Sequence, residues 1–158
     1  MPSAKGNPWN SSEARTKLGK NARSKMMKNI PALGKLTSKV QERVKQRNAV
    51  TGLDGRSLNT RSSHAALNTL IQGAGAIIMK KALVILDDSL QDAGYRPGVD
   101  YEFILNVHDE FGLEVTIGYE QDIAVKARNS IVQAGEHFNF RCSLDGEALI
   151  GDSWKETH

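Results

Sequence analysis

The sequence predicts an α+β fold, with helices packed on an antiparallel sheet. Three observations carry that expectation. Residues 101–116 read as a β-hairpin, with β-forming Val107, Phe111, Leu113 and Val115 flanking His108-Asp109-Glu110. A continuous apolar stripe at helical spacing runs from about Ser63 to Asp92. The elements do not alternate as regular βαβ units, and the chain has no internal repeat.

At 158 residues the chain is one domain, or one piece of a larger one. Hydrophobic content of 39% and charged content of 25% fit a globular chain rather than a disordered one. No run approaches 18 apolar residues, and Met1-Pro2-Ser3-Ala4-Lys5 has no apolar core, so neither a membrane partner nor a secretory signal is expected. The single cysteine, Cys142, excludes an internal disulfide and a CxxC metal site, which makes the cytoplasm the natural compartment. The net charge of +3 hides a division. Residues 1–50 hold twelve Lys or Arg against two acids, Glu13 and Glu42, whereas residues 51–158 hold nine against sixteen. That asymmetry points to a polyanion for the first third, nucleic acid being the first candidate.

Residues 1–10 read as a disordered lead-in. Residues 11–50 form a basic helical segment. Ser11-Ser12 offers an N-cap for a helix carrying Leu18, Ala22 and Met26, and Pro31 suits the first turn of the next. Leu33, Leu36, Val40 and Val44 give that second helix one apolar face. Residues 51–158 then form the sheet-bearing part. Asp54-Gly55 is a hairpin signal between short strands at Ala49–Leu53 and Arg56–Arg61. In the long helix Leu67, Leu70, Ile71, Ala74, Ile77, Ile78, Ala82 and Ile85 point inward. Gly73 and Gly75 each cost that helix about 1 kcal/mol relative to Ala, which implies close backbone packing or a ligand. After the 101–116 hairpin comes a helix over 119–137, with Ile123, Ala127, Ile131 and Ala134 inward. Phe138–Leu144 alternates as a strand with Phe140, Cys142 and Leu144 on one face, and Trp154 reads as a packing anchor.

Two patterns carry chemistry. The hairpin tip lacks the glycine a structural tip normally uses and sets Asp109 beside Glu110. Adjacent like charges repel unless a cation or water screens them. The second is a line of Arg61, His64, Asn68 and Gln72 at three- and four-residue steps. Amides both donate and accept, so Asn68 and Gln72 suit the N3 and O2 acceptors that every base pair shows in the minor groove.

Four pieces, in order and spacing, resemble family A DNA polymerases. Val107-His108-Asp109-Glu110 between apolar strands is similar to the family's third conserved motif. Ala65-Ala66-Leu67-Asn68-Thr69-Leu70-Ile71-Gln72 looks like the palm helix preceding it. Gly52-Leu53-Asp54-Gly55-Arg56 followed by His64-Ala65-Ala66-Leu67-Asn68 is similar to replicative polymerases of short-tailed bacteriophages. The ending from Asn139-Phe140-Arg141-Cys142 through Trp154 resembles their C-terminus. The resemblance implies a palm sheet with a catalytic hairpin, a fingers remnant over residues 11–50 and part of the palm over 51–158. It implies that Asp109 and Glu110 are catalytic, that Asp109 binds Mg²⁺ in a two-metal site, and that Glu110 assists. It places His108 near the primer end, and Asn68 and Gln72 in the minor groove. Arg56 and Arg61 fall where the family contacts the DNA backbone. His64 stands where bacterial DNA polymerase I has an arginine.

The resemblance also implies what the chain lacks: the first catalytic aspartate, the nucleotide-binding fingers helix, the thumb and the exonuclease region. The expected function is therefore the C-terminal palm portion of a DNA-directed DNA polymerase in DNA replication, in a bacterial host's cytoplasm if the source is viral. It would be inactive without an upstream polymerase fragment, with primer-template DNA and dNTP as further partners. The alternative is a non-enzymatic DNA-binding protein that uses the basic N-terminal segment. A solitary nuclease would need further carboxylates converging on the tip.

Overall fold

The computed structural model describes residues 11–157, so the lead-in read at residues 1–10 lies outside the described residues. The chain divides into two compact units. The first runs to Val50 and includes Asn59–Leu67. The second comprises Thr51–Leu58 and the chain from Asn68 onward.

The first unit holds two helices in contact, α1 (Ser12–Asn29) and α2 (Pro31–Arg47). The Ser11 hydroxyl caps α1 by accepting from the Ala14 N–H at 3.1 Å. Pro31 opens α2, where its missing N–H costs nothing, and Asn48 closes it in the left-handed region (φ 53°). In α2 the buried line is Thr37, Val40 and Val44, with Leu33 half-buried. Leu36, expected on that face, is exposed. Thr37 tolerates burial because its hydroxyl donates to the Leu33 carbonyl at 2.8 Å.

Strands β1 (Ala49–Thr51) and β2 (Ser57–Asn59) form the expected two-stranded ribbon. Its turn uses Gly55 at φ 82° and a 3.1 Å bond from the Gly55 N–H to the Gly52 carbonyl.

The long helix α3 spans Ala66–Asp92. It begins later than Ser63, because Ser62 caps a separate turn by accepting from the Ala65 N–H at 3.2 Å. Its buried line is Met79, Ala82, Leu86 and Leu90. Of the expected stripe only Ala82 is fully covered, and Ile71 is 59% exposed. By length and composition α3 is apolar enough to cross a membrane, a property that core helices share.

Against α3 lies the hairpin of β3 (Tyr101–Val107) and β4 (Glu110–Val115), which pair antiparallel. Leu86, Leu90, Tyr101 and Ile123 form the core of this unit, with Phe103, Phe111, Leu113 and Val115 packed on it. Ile123 comes from α4 (Glu120–His137), which also buries Ser130 and Ala134.

Two expectations fail beyond α4. Phe138–Leu144 is not a strand, and Cys142 is exposed. The α4 terminus is a Schellman cap instead. Asn139 sits at φ 54°, the Phe140 N–H reaches the Gly135 carbonyl at 3.0 Å, and the Asn139 N–H reaches Glu136 at 2.9 Å. A left-handed residue interrupts the extended backbone that alternation implied. Trp154 opens a short 3₁₀ turn and is 56% exposed rather than an anchor.

Candidate active site

The site is built on the hairpin. Register runs Tyr101↔Val115, Glu102↔Glu114, Phe103↔Leu113, then Leu105↔Gly112, Asn106↔Phe111 and Val107↔Glu110. Two residues of β3 therefore oppose one of β4 at Ile104, which makes Ile104 a β-bulge, 61% exposed. Above the bulge a two-residue turn, His108-Asp109, closes the hairpin. A loop this short needs a positive φ, normally from glycine. His108 supplies it at φ 54°, and histidine is one of the few residue types that enter this region with some frequency. His108 and Asp109 are exposed, and Glu110 is half-buried as the first residue of β4.

The base of the hairpin is held by a polar contact that the sequence reading passed over. The Tyr101 hydroxyl donates to Asp87 Oδ1 of α3 at 2.5 Å, and the Gln91 amide donates to Asp87 Oδ2 at 2.8 Å. Burial first, and then the bond to Asp87, push the Tyr101 hydroxyl up to about 12. The available signal was an acid standing among Leu83, Leu86 and Leu90, one turn from Gln91.

On the same approach to β3, Arg96 grips Asp100 through its Nε at 2.9 Å, its Nη2 at 3.1 Å and its backbone N–H at 2.8 Å. The side-chain bonds from Arg96 hold the Asp100 carboxyl below the usual carboxylate range, and its backbone N–H adds to that effect. This clamp fixes the loop that feeds β3.

The other predicted residues are distributed as follows. Asn68 and Gln72 are both exposed and lie one turn apart near the start of α3. Arg56 sits beyond the ribbon turn, where its Nε pairs with the Asp54 carboxylate and its N–H donates to Asp54 Oδ1 at 3.3 Å. Arg61 and His64 are exposed in the connection leading to α3 and belong to the first unit. The structure thus brings His108, Asp109 and Glu110 together at one tip and pairs Asn68 with Gln72 on one helix. It engages Arg56 with its own turn.

Gly73 answers one of the sequence questions. A Cβ there would lie 2.8 Å from Leu58 Cδ1, so the glycine lets β2 approach α3 closely. Gly75 has open space around its Cβ position and no packing reason.

Asp109 and Glu110 offer oxygen, the donor that Mg²⁺ requires. The chemistry of these donors fits the ion, but their number falls short of a self-contained centre. Among the described residues no three His, Cys, Asp or Glu side chains are grouped to hold a metal.

Comparison with known proteins gives the chain its class. Residues 16–156 match the DNA polymerase family A profile, and the chain belongs to that family. Among its relatives are the DNA-directed DNA polymerases of Enterobacteria phage T3 and Escherichia phage T7. Each is 34% identical over 157 residues, covering 89% of this chain and 22% of the relative. DNA polymerase I of Aquifex aeolicus is 27% identical over 134 residues, covering 84% of this chain and 23% of its own. The chain thus spans about a fifth of the length of these relatives. The fold is similar to the polymerase domain of Pol1 from M. smegmatis, solved in complex with DNA primer-template and dNTP. That likeness has a TM-score of 0.62 and 24% identity, and covers 77% of this chain and 22% of that one.

Proposed function

We propose that this chain is the C-terminal palm portion of a DNA-directed DNA polymerase, with residues 11–50 from the fingers and residues 51–158 from the palm. It would serve template-directed nucleotidyl transfer in DNA replication. The observation that carries the reading is the hairpin tip. An exposed aspartate at a two-residue turn, followed by a glutamate, stands between antiparallel strands in a chain of this family.

In this reading Asp109 would hold a Mg²⁺ ion, and Glu110 would assist it. Bound Mg²⁺ supplies charge stabilisation at the primer 3′-hydroxyl and the departing pyrophosphate. The chain's own contribution is position. The Tyr101–Asp87 bond and the Arg96–Asp100 clamp fix the base of the hairpin, so that Asp109 is carried on a braced strand pair. Asn68 and Gln72 would hold the minor-groove edge near the primer terminus, His108 would lie close to the primer end, and Arg56, Arg61 and His64 would meet the backbone. The partners are primer-template DNA, dNTP and an upstream polymerase portion carrying the first catalytic aspartate. Alone, the chain would not polymerise. A purely DNA-binding role is not favoured, since an acidic tip gains nothing against phosphates.

The test is a chimera in which residues 16–158 replace the matching fifth of the phage T7 relative. Mg²⁺-dependent primer extension is the expected result, with loss of about 10²-fold or more in Asp109→Ala, the scale seen when a charge-stabilising catalytic group is removed. A folded chimera without extension, or extension that survives Asp109→Ala, would overturn the assignment.

A further inference from the structure

Leu58 is seated in a notch made by two glycines. It is the one half-covered residue of β2, with Ser57 and Asn59 exposed on either side. A Cβ on Gly52, at the far end of the ribbon turn, would lie 3.2 Å from Leu58 Cδ1 and 3.4 Å from its Cγ. A Cβ on Gly73 of α3 would lie 2.8 Å from the same Cδ1. Neither glycine has a positive φ, so neither is there to make a turn possible. Gly73 moreover stands inside a helix, where glycine is disfavoured against alanine. Among the described residues the contact its missing side chain admits is with Leu58. Each wall of the notch leads to a residue of the site. Gly52 opens the turn that ends at Arg56: its N–H donates to the Arg56 carbonyl at 2.7 Å, and the Gly55 N–H donates to the Gly52 carbonyl at 3.1 Å. Gly73 directly follows Gln72, with Asn68 one turn earlier on the helix. The turn, Leu58 and this stretch of α3 belong to one compact unit.

We infer that Leu58 is a positioning residue. Docked between Gly52 and Gly73, it pins the Gly52–Arg56 turn to α3 and so sets Arg56 and Gln72 in a fixed relation to each other. A two-stranded ribbon with strands of three residues is marginal by itself, so the turn needs such an anchor. Holding two contact groups in place beforehand spares the ordering cost that each would otherwise incur when primer-template binds. The inference rests on the polymerase reading and adds to it a residue that acts only through Arg56 and Gln72, with no contact of its own to the substrate.

The experiment uses the T7 chimera and measures steady-state extension with primer-template varied, alongside thermal melting. Leu58→Ala should raise KM for primer-template about fivefold while kcat stays within about twofold, the signature of lost uniform binding. Gly73→Ala fills the notch from the other side. It should raise KM to a similar extent with a melting temperature no lower than the parent's, because alanine favours the helix and the Leu58 side chain can swing out. That variant keeps the test sound should Leu58→Ala fold poorly. The two changes empty the same notch, so the double variant should be no worse than the more affected single one. In an Arg56→Ala, Gln72→Ala background, Leu58→Ala should raise KM no further, since the groups it positions are gone. Parent KM in both Leu58→Ala and Gly73→Ala would overturn this inference while leaving the polymerase reading intact. So would an equal rise on adding Leu58→Ala with and without Arg56 and Gln72, which marks a packing role alone. A folded parent chimera that does not extend primers would overturn the polymerase reading, and this inference with it.

Discussion

At the scale of single residues, Tyr101 is the most informative side chain outside the tip. Its hydroxyl is pushed up to about 12 by burial and by Asp87. A group whose folded pKa is raised contributes its stability below its ordinary value and loses it as pH rises through the raised one. Tyr101 therefore supports the fold at neutral pH, and that support fades between about 10 and 12. Tyr101→Phe should remove the last phenolate to appear in an alkaline absorbance titration. It should also cost about 1–2 kcal/mol in denaturant unfolding, because Asp87 loses one of its two side-chain donors and keeps only Gln91. His108 makes a second case. His108→Gly should relieve the left-handed backbone at about 1 kcal/mol or less, leaving the hairpin formed while removing the imidazole. Thermal melting of the variant reads the first effect and primer extension by the chimera reads the second.

At the scale of elements, the two mid-helix glycines of α3 separate. Gly75→Ala should stabilise by about 1 kcal/mol through helix propensity alone, whereas Gly73→Ala should gain less because Leu58 must turn aside. Chemical denaturation of both variants checks the order. In α4, Gly135→Ala should destabilise by about 1–3 kcal/mol, since a Cβ would meet Leu144 at 2.9, 3.0 and 3.3 Å. The same helix is tied to the following segment by Arg128, whose Nε and Nη2 donate to Asp145 at 2.8 and 2.7 Å. These bonds hold the Asp145 carboxyl at about 2, with the Gly146 N–H assisting. A lowered folded pKa means the contribution is present above about 3.8 and is lost as pH falls toward 2. The acid limb of melting temperature against pH should flatten in Asp145→Asn. The elements that were legible in advance are those whose signals are local: the Ser11 cap, Pro31, Asp54-Gly55, and the alternation around Asp109. The segment Phe138–Leu144 was misread because its alternation had no partner strand to pair with. The left-handed Asn139 that breaks it leaves no mark in the pattern.

At the scale of the whole molecule, the site was legible as residue types and not as a working centre. Asp109 and Glu110 announce themselves by standing at a tip without glycine. The Asp87 brace does not, because a carboxylate in an apolar stripe reads as noise until its tyrosine is placed. The inward line of α3 was also misjudged, since apolar residues ring that helix and periodicity alone does not choose among its faces. That excess of apolar surface has a consequence. Ile71, Val84, Ile104 and Val107 are exposed, and a two-stranded hairpin is rarely stable in isolation. The chain alone should bind an apolar dye and self-associate, as read by fluorescence and by light scattering on a sizing column. A monomer that unfolds cooperatively without dye binding would contradict this.

The bulge at Ile104 makes chain length itself a functional quantity. Below it Tyr101 and Phe103 share the inward face with Val115 and Leu113, and above it Asn106 takes that face opposite Phe111. The extra residue bends the strand and adds local twist, setting which way the tip looks relative to the anchored base. Deleting Ile104 would keep every carboxylate, every aromatic and every cross-strand pair, with Leu105 still opposite Gly112 and Asn106 opposite Phe111, yet it would remove the bend and added twist of the bulge and so re-aim the tip. Such a deletion should leave the hairpin paired and the chimera inactive, whereas Ile104→Ala, which keeps the count, should retain activity.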